Sequence, residues 1–189
     1  MSKKILFIDN YDSFSYTIVM YFKELGFECK VVKNDDFTSV CELDAFDFTH
    51  LVLSPGPNAP QDAPLCINAL KRYRKSKKIL GICLGHQCIA HAFGGQVVQQ
   101  SAPTHAKIVK ISCKNKGIFR GLPKRFKICL YNSLCVGKTG EKLRVLATDE
   151  AGRVMALRHK KHQIYGVQFH PEAILSQNGK RILANFMAL

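Results

Sequence analysis

No apolar run in this chain approaches the roughly 18 residues that a bilayer-spanning helix requires. The opening Met-Ser-Lys-Lys-Ile-Leu-Phe-Ile-Asp is a basic dash and a short apolar run. Asp9 interrupts it and no small-residue cleavage site follows, so it does not read as a signal peptide. The eight cysteines include no C-x-x-C pair, and their spacing suggests neither a zinc site nor a disulfide framework. Most lie in apolar patterns, as in Glu28-Cys29-Lys30-Val31 and Lys127-Ile128-Cys129-Leu130, where a reduced cysteine acts as a small hydrophobe. A cytoplasmic location with no membrane association is expected. Acidic residues are also scarce: 14 Asp and Glu stand against 28 Lys and Arg, a formal net charge of +14. Such a charge suits nucleic acid, acidic metabolites or an acidic partner. The densest run, Lys71 to Lys78, has only Tyr73 as a stacking aromatic. Cations at the end of a helix ordinarily form a solvated face, so no nucleic-acid partner is expected.

What is present reads as one globular α/β domain. The 189 residues are 47% hydrophobic, with no repeat, low-complexity tract or linker. Lys3–Asp9, Glu28–Val32, Thr49–Leu53 and Ile79–Ile82 read as strands. Between them, helical patterns run from Phe14, stopped by Gly26, and from about Ala63 to Arg74. Strands alternating with helices imply right-handed crossovers and a mostly parallel twisted sheet with helices on both faces. Beyond Gly95 the texture changes. Gln96–Gln100, Ala106–Cys113, Phe126–Tyr131 and Leu143–Thr148 suggest a small antiparallel β portion, with a hairpin turn at Asp149–Gly152 before Arg153–Arg158. Ile164–Phe169 is a further strand, and Gly179–Met187 a closing helix.

The chain is organised around Gly81-Ile82-Cys83-Leu84-Gly85. An apolar strand runs into it and a helical pattern, His86–Phe93, runs out. Strand, tight turn and helix form the nucleophile-elbow arrangement, here with cysteine at its centre. Cys83 would sit at a helix N-terminus, where the dipole favours a thiolate. The same pattern also occurs in plain strand-to-helix turns.

A second candidate follows the strand at Ile164: His170-Pro171-Glu172. If the chain stays extended there, residues two apart share a face and Glu172 reaches the His170 ring; Pro171 biases His170 toward that conformation. A carboxylate on one ring nitrogen leaves the other free to exchange a proton with a thiol. Alone, His-Pro-Glu would also suit an exposed turn; the upstream elbow favours nucleophile, acid/base and orienter. His86, His91, His159 and His162 read as structural or solvated, and His50 as a core or edge residue. Strand ends in a parallel sheet gather function, and Ser54-Pro55-Gly56-Pro57 leaves its strand at the same edge as the elbow.

With these pieces assembled, the sequence resembles the class I (triad) glutamine amidotransferases over essentially its whole length, 1–189. The motifs are Ser54–Pro57, Gly81–Gln87, Phe93-Gly94-Gly95 and Gly166–Glu172. The start, Asp9-Asn10-Tyr11-Asp12-Ser13-Phe14, looks like the subunits serving chorismate-aminating synthases. The resemblance implies a Cys83–His170–Glu172 triad and an oxyanion hole from the backbone N–H groups of Gly56 and Leu84. It also implies glutamine contacts from Gly56, Pro57, Asn58, Gln87, Ser133 and Leu134. No metal or cofactor is expected in this subunit, magnesium being expected only in the partner synthase. The implied partners are L-glutamine and a chorismate-binding synthase subunit, component I, since the chain ends at Leu189 with no room for a synthase domain. Glu172–Gly179 and Gly117–Leu122 look closer to the para-aminobenzoate branch than to the ortho (anthranilate) branch; some such subunits serve both. A free-standing thiol hydrolase of glutamyl peptides or small amides is the alternative, and Asp9–Phe14 argues against it.

Several positions depart from the family pattern. Asn58 replaces a glycine, which asparagine's tolerance of left-handed backbone excuses. Ala106 stands for the glycine of His-Gly-Lys, and Asn132 for a histidine before Ser133-Leu134. Thr17 stands for an asparagine and Ala173 for a serine that could cap a helix.

Overall fold

The computed structural model describes residues 3–189. Among the described residues nine strands form one sheet in the order β2-β1-β3-β4-β9-β8-β7-β5-β6. Five are mutually parallel: β1 (Lys4–Asp9), β2 (Glu28–Lys33), β3 (His50–Leu53), β4 (Lys78–Ile82) and β9 (Ile164–Val167). The antiparallel part is β5 (Gln96–Cys113), β6 (Arg125–Lys138), β7 (Leu143–Asp149) and β8 (Val154–His159). It continues the sheet from β9. The helices are α1 (Ser15–Glu24), α2 (Pro64–Tyr73), α3 (Leu84–Ala92) and α4 (Gly179–Met187).

Period-2 alternation in the parallel strands makes two cores. Ile5, Phe7, Val52 and Leu80 pack with Ile18 and Phe22 of α1 and Ile182 and Phe186 of α4. Leu6, Ile8, Leu51 and Leu53 pack on the other side with Leu65, Ala69 and Leu70 of α2 and Ile89 of α3. Strands buried on both faces read as unbroken apolar runs, which is why β1 and β3 were plain in the sequence. Gly26 ends α1 as expected: it takes φ +85°, and Phe27 N–H closes the motif on Phe22 O at 3.0 Å.

Two expected strands, Gln96–Gln100 and Ala106–Cys113, are one continuous 18-residue strand, β5. Register shifts against β6 at Gln99/Thr104 and Thr104/Lys107 absorb the irregular middle. Pairing with a partner strand carries the backbone through a stretch whose local pattern looks like a break. Among the described residues no helix is long and apolar enough to cross a membrane.

Candidate active site

The elbow comes from glycines on either side of a close helix–sheet contact. A Cβ on Gly81 would lie 2.3 Å from Gly85 O, and one on Gly85 would lie 2.3 Å from Leu53 O. Only glycine lets α3 settle onto β3 and β4 at that distance. Cys83 occupies the turn between β4 and α3 at φ 52°, ψ −102°, a sparsely populated conformation for a side-chain-bearing residue. The residue is nearly buried, with 5% of it exposed.

Ile82 pairs with Val167, so β9 delivers its C-terminal residues beside the elbow. His170 Nδ1 and Glu172 Oε1 are 2.6 Å apart, both side chains buried. The segment is not extended, contrary to the expectation from its sequence. Ala173 N–H donates to His170 O at 3.3 Å, closing a turn with Pro171 in its second position. The turn, rather than strand alternation, brings Glu172 back onto the ring. Ser176 takes over the bracing: its Oγ donates to His170 O at 2.6 Å and accepts from Cys129 N–H at 2.9 Å.

Two aromatic rings clamp His170 edge-on: Phe14 at 5.8 Å and Tyr131 at 5.2 Å between centroids. Burial opposes a charged imidazole here. The Cys83 thiol and the Glu172 carboxylate outweigh it and hold His170 well above the ordinary histidine range. With Nδ1 engaged by Glu172, the buried Nε2 is left without a hydrogen-bond partner. That nitrogen is the one available to a reacting group.

Cys83 opens onto a cleft of about 410 Å³. Gly56, Pro57 and Asn58 line one side, and Gln87, Ser133 and Leu134 another. Larger clefts of about 570 and 540 Å³ contain none of these residues. Leu84 is buried and does not line the cleft, with its Cδ2 3.0 Å from where a Gly56 Cβ would stand. The two residues whose N–H groups are expected to donate to an oxyanion are therefore in side-by-side contact. The Gly56 loop is held by the N-terminal motif: Asn10 N–H donates to Ser54 Oγ at 2.7 Å and Asn10 Nδ2–H to Ser54 O at 3.0 Å.

The departures have structural readings. Asn58 takes φ 67°, the left-handed conformation that asparagine tolerates. Ala106 takes φ 51° with no such tolerance, so the backbone keeps the shape a glycine would have allowed. Asn132 is 94% buried and braces the cleft wall: its Nδ2–H donates to Leu134 O at 2.7 Å, and its Oδ1 accepts from Thr104 Oγ1 at 2.9 Å. Nothing in the structure explains Thr17.

Sequence reasoning did not find Phe14 and Tyr131 as the clamp, Ser176 as the brace, or Tyr11, Asp12 and His105 as cleft lining. Phe14 was legible as the start of a helical face and the end of the Asp9–Phe14 motif, not as a ring packed on His170. His86 is fully buried, and burial lowers it to about 4, the Gly166 backbone offsetting little. It is structural. Among the described residues no group of three or more His, Cys, Asp or Glu is placed to hold a metal ion.

The family described as "Glutamine amidotransferase class-I" matches residues 6–189. "Aminodeoxychorismate synthase component 2" of Escherichia coli is 41% identical over 97% of this chain and 98% of its own length. "Anthranilate synthase component 2" of Thermus thermophilus is 44% identical over 97% and 91%. The "Bifunctional protein TrpGD" of Thermotoga maritima is 41% identical over 98% of this chain, which spans only 32% of that protein. Among solved structures, a "putative gmp synthase subunit a protein" from Thermoplasma acidophilum superposes with a TM-score of 0.87 at 30% identity, covering 100% of this chain and 94% of that one. The chain belongs to the class-I glutamine amidotransferase family.

Proposed function

We propose that this chain, acting as one unit over its full length, is the glutaminase subunit of a chorismate-aminating synthase. The observation that carries the reading is the meeting of three features. Cys83 stands at a strained elbow on a cleft, His170 is buried beside it with an unpartnered Nε2, and Glu172 lies 2.6 Å from the far ring nitrogen.

In this reading the Cys83 thiolate attacks the side-chain amide carbon of glutamine. The N–H groups of Gly56 and Leu84 receive the developing oxyanion, where one donor is worth about 3–4 kcal/mol of barrier. His170, in its protonated form, gives its Nε2 proton to the leaving nitrogen, so ammonia departs and a glutamyl thioester remains. Neutral His170 then takes a proton from water as its oxygen attacks the thioester, releasing glutamate and the thiolate. Glu172 keeps the ring oriented through both proton transfers. Gln87, Ser133 and Leu134 face the amino acid portion of the substrate.

Free ammonia in neutral water becomes ammonium, which is no nucleophile. The product must therefore pass directly to an acceptor site, which we assign to a chorismate-binding partner subunit in the cytoplasm. Both relatives quoted at near-full length are second components of such synthases, one for each product. The resemblance of 172–179 and 117–122 to the para-aminobenzoate branch leads us to place aminodeoxychorismate first. The Asp9–Phe14 segment supports a synthase subunit over a free-standing thiol hydrolase, because Asn10 builds the Gly56 loop and Phe14 clamps His170.

The test is Cys83→Ala assayed with the synthase subunit that co-purifies with this chain. Glutamine-dependent synthesis is expected to vanish while ammonia-dependent synthesis persists. Surviving glutamine-dependent turnover would overturn the mechanism. The product from chorismate then decides the branch: 4-amino-4-deoxychorismate supports the assignment, and ortho-aminobenzoate alone replaces it.

A further inference from the structure

The register between β4 and β9 places a second side chain against the nucleophile. Beyond the Ile82–Val167 pair, the next residues along the two strands are Cys83 and Gln168. Cys83 N–H donates to Val167 O at 2.9 Å, which holds them side by side. Gln168 is fully buried. Its Nε2 lies 3.7 Å from Cys83 Sγ, and its Oε1 lies 3.2 Å from Gln87 Nε2. Gln87 Nε2 in turn lies 3.0 Å from the carbonyl oxygen of Leu134.

This chain of amides can run in only one direction. A backbone carbonyl accepts and never donates, so Gln87 must turn its NH2 group toward Leu134 O. The same NH2 faces Gln168 and requires an acceptor there. Gln168 therefore presents its oxygen to Gln87 and its own NH2 to the sulfur. With the Gln168 amide reversed, two NH2 groups would oppose each other at 3.2 Å in a buried site. Cys83 Sγ thus faces a fixed N–H donor, while a thiol hydrogen would be directed to the Tyr131 carbonyl at 3.9 Å. A donor aimed at sulfur strengthens as negative charge gathers on it.

We propose that Gln168 is a positioning residue that holds the Cys83 thiolate through an N–H···S hydrogen bond. Its orientation is locked by Gln87 and the Leu134 carbonyl. The wall of the cleft that receives substrate and the donor at the nucleophile are then one rigid hydrogen-bonded unit. The inference rests on the reading of Cys83 as nucleophile and adds a residue to it.

The test uses Gln168→Glu, which keeps the shape but replaces the donor by an acceptor, and Gln168→Leu, which removes both. The readouts are alkylation of Cys83 by iodoacetamide across pH, followed by mass on the Cys83 peptide, and glutaminase kcat and KM in the complex with the synthase subunit. Both variants are expected to move the alkylation profile to higher pH. A lost hydrogen bond to a charged group lowers kcat by about 10- to 100-fold, with KM little changed. A folded variant whose alkylation profile does not move overturns the proposal, even if kcat falls. Should both variants fail to fold, Gln87→Leu serves: it frees the Gln168 amide to rotate, so Cys83 alkylation at neutral pH must slow, and an unchanged rate overturns the proposal. Failure of the underlying reading is separate, since only glutamine turnover surviving in Cys83→Ala would remove Cys83 as nucleophile.

Discussion

Replacing Cys83 by alanine and by glycine separates the chemistry of the elbow from its backbone strain. Both variants lack the thiol and both should be inactive with glutamine. They differ only in a Cβ held at φ 52°, ψ −102°. At an ordinary buried position, alanine to glycine loses a methyl group's burial, about 0.8 kcal/mol, and gains chain entropy in the unfolded state, about 0.5–1 kcal/mol. The glycine variant would then be less stable by about 1.5 kcal/mol, or roughly 3–6 °C in midpoint for a chain of this size. At the elbow, relief of a conformation costing about 1–3 kcal/mol offsets that loss. Cys83→Gly is therefore expected to lie between about 0.5 kcal/mol less stable and about 1.5 kcal/mol more stable than Cys83→Ala. Calorimetry or urea unfolding of the two proteins side by side reads the difference. A glycine variant less stable by more than about 1 kcal/mol would show that the elbow stores no strain.

Two further outcomes follow from the same geometry. His86 is buried with its value lowered to about 4, so between pH 6.5 and 4 the unfolded chain binds a proton that the folded chain does not. Stability must fall as pH drops through that window, by about 3 kcal/mol from this residue; His170, raised above its ordinary value, is protonated in both states there and does not contribute. Urea midpoints at several pH values should fall more steeply for the parent than for His86→Met, and equal slopes would refute the assignment. Gly56→Ala would put a Cβ 2.6 Å from Asn10 Cβ and 2.7 Å from Asn10 O, forcing the loop off its position. Glutamine-dependent turnover should drop about 100-fold with ammonia-dependent turnover intact, and an unaffected glutamine rate would argue against Gly56 as an oxyanion donor.

Much of the architecture was legible because its signals are local. Unbroken apolar runs at Ile5–Ile8 and Leu51–Leu53 mark strands covered on both faces, and Gly26 stops α1 through its own positive φ. The break read between Gln100 and Ala106 failed because β6 pairs with β5 on either side of the irregular stretch, and such pairing is a long-range property. The extended reading of His170–Glu172 failed for a related reason. The turn there is held by Ser176 Oγ on His170 O, and Ser176 is itself fixed by Cys129 N–H on β6, a contact that no window around His170 contains.

By itself, the sequence determined the elbow. Gly81 and Gly85 around Cys83 are what permits α3 to pack closely on β3 and β4, because a Cβ at either position would meet a backbone oxygen at 2.3 Å. It also supplied the His170–Glu172 pair, whose contact is local. Tertiary structure alone decided that these two segments meet, through the Ile82–Val167 register, and that Phe14 and Tyr131 hold the ring between them. It also decided which way the Gln168 amide points, because a carbonyl on Leu134, far along the chain, can only accept.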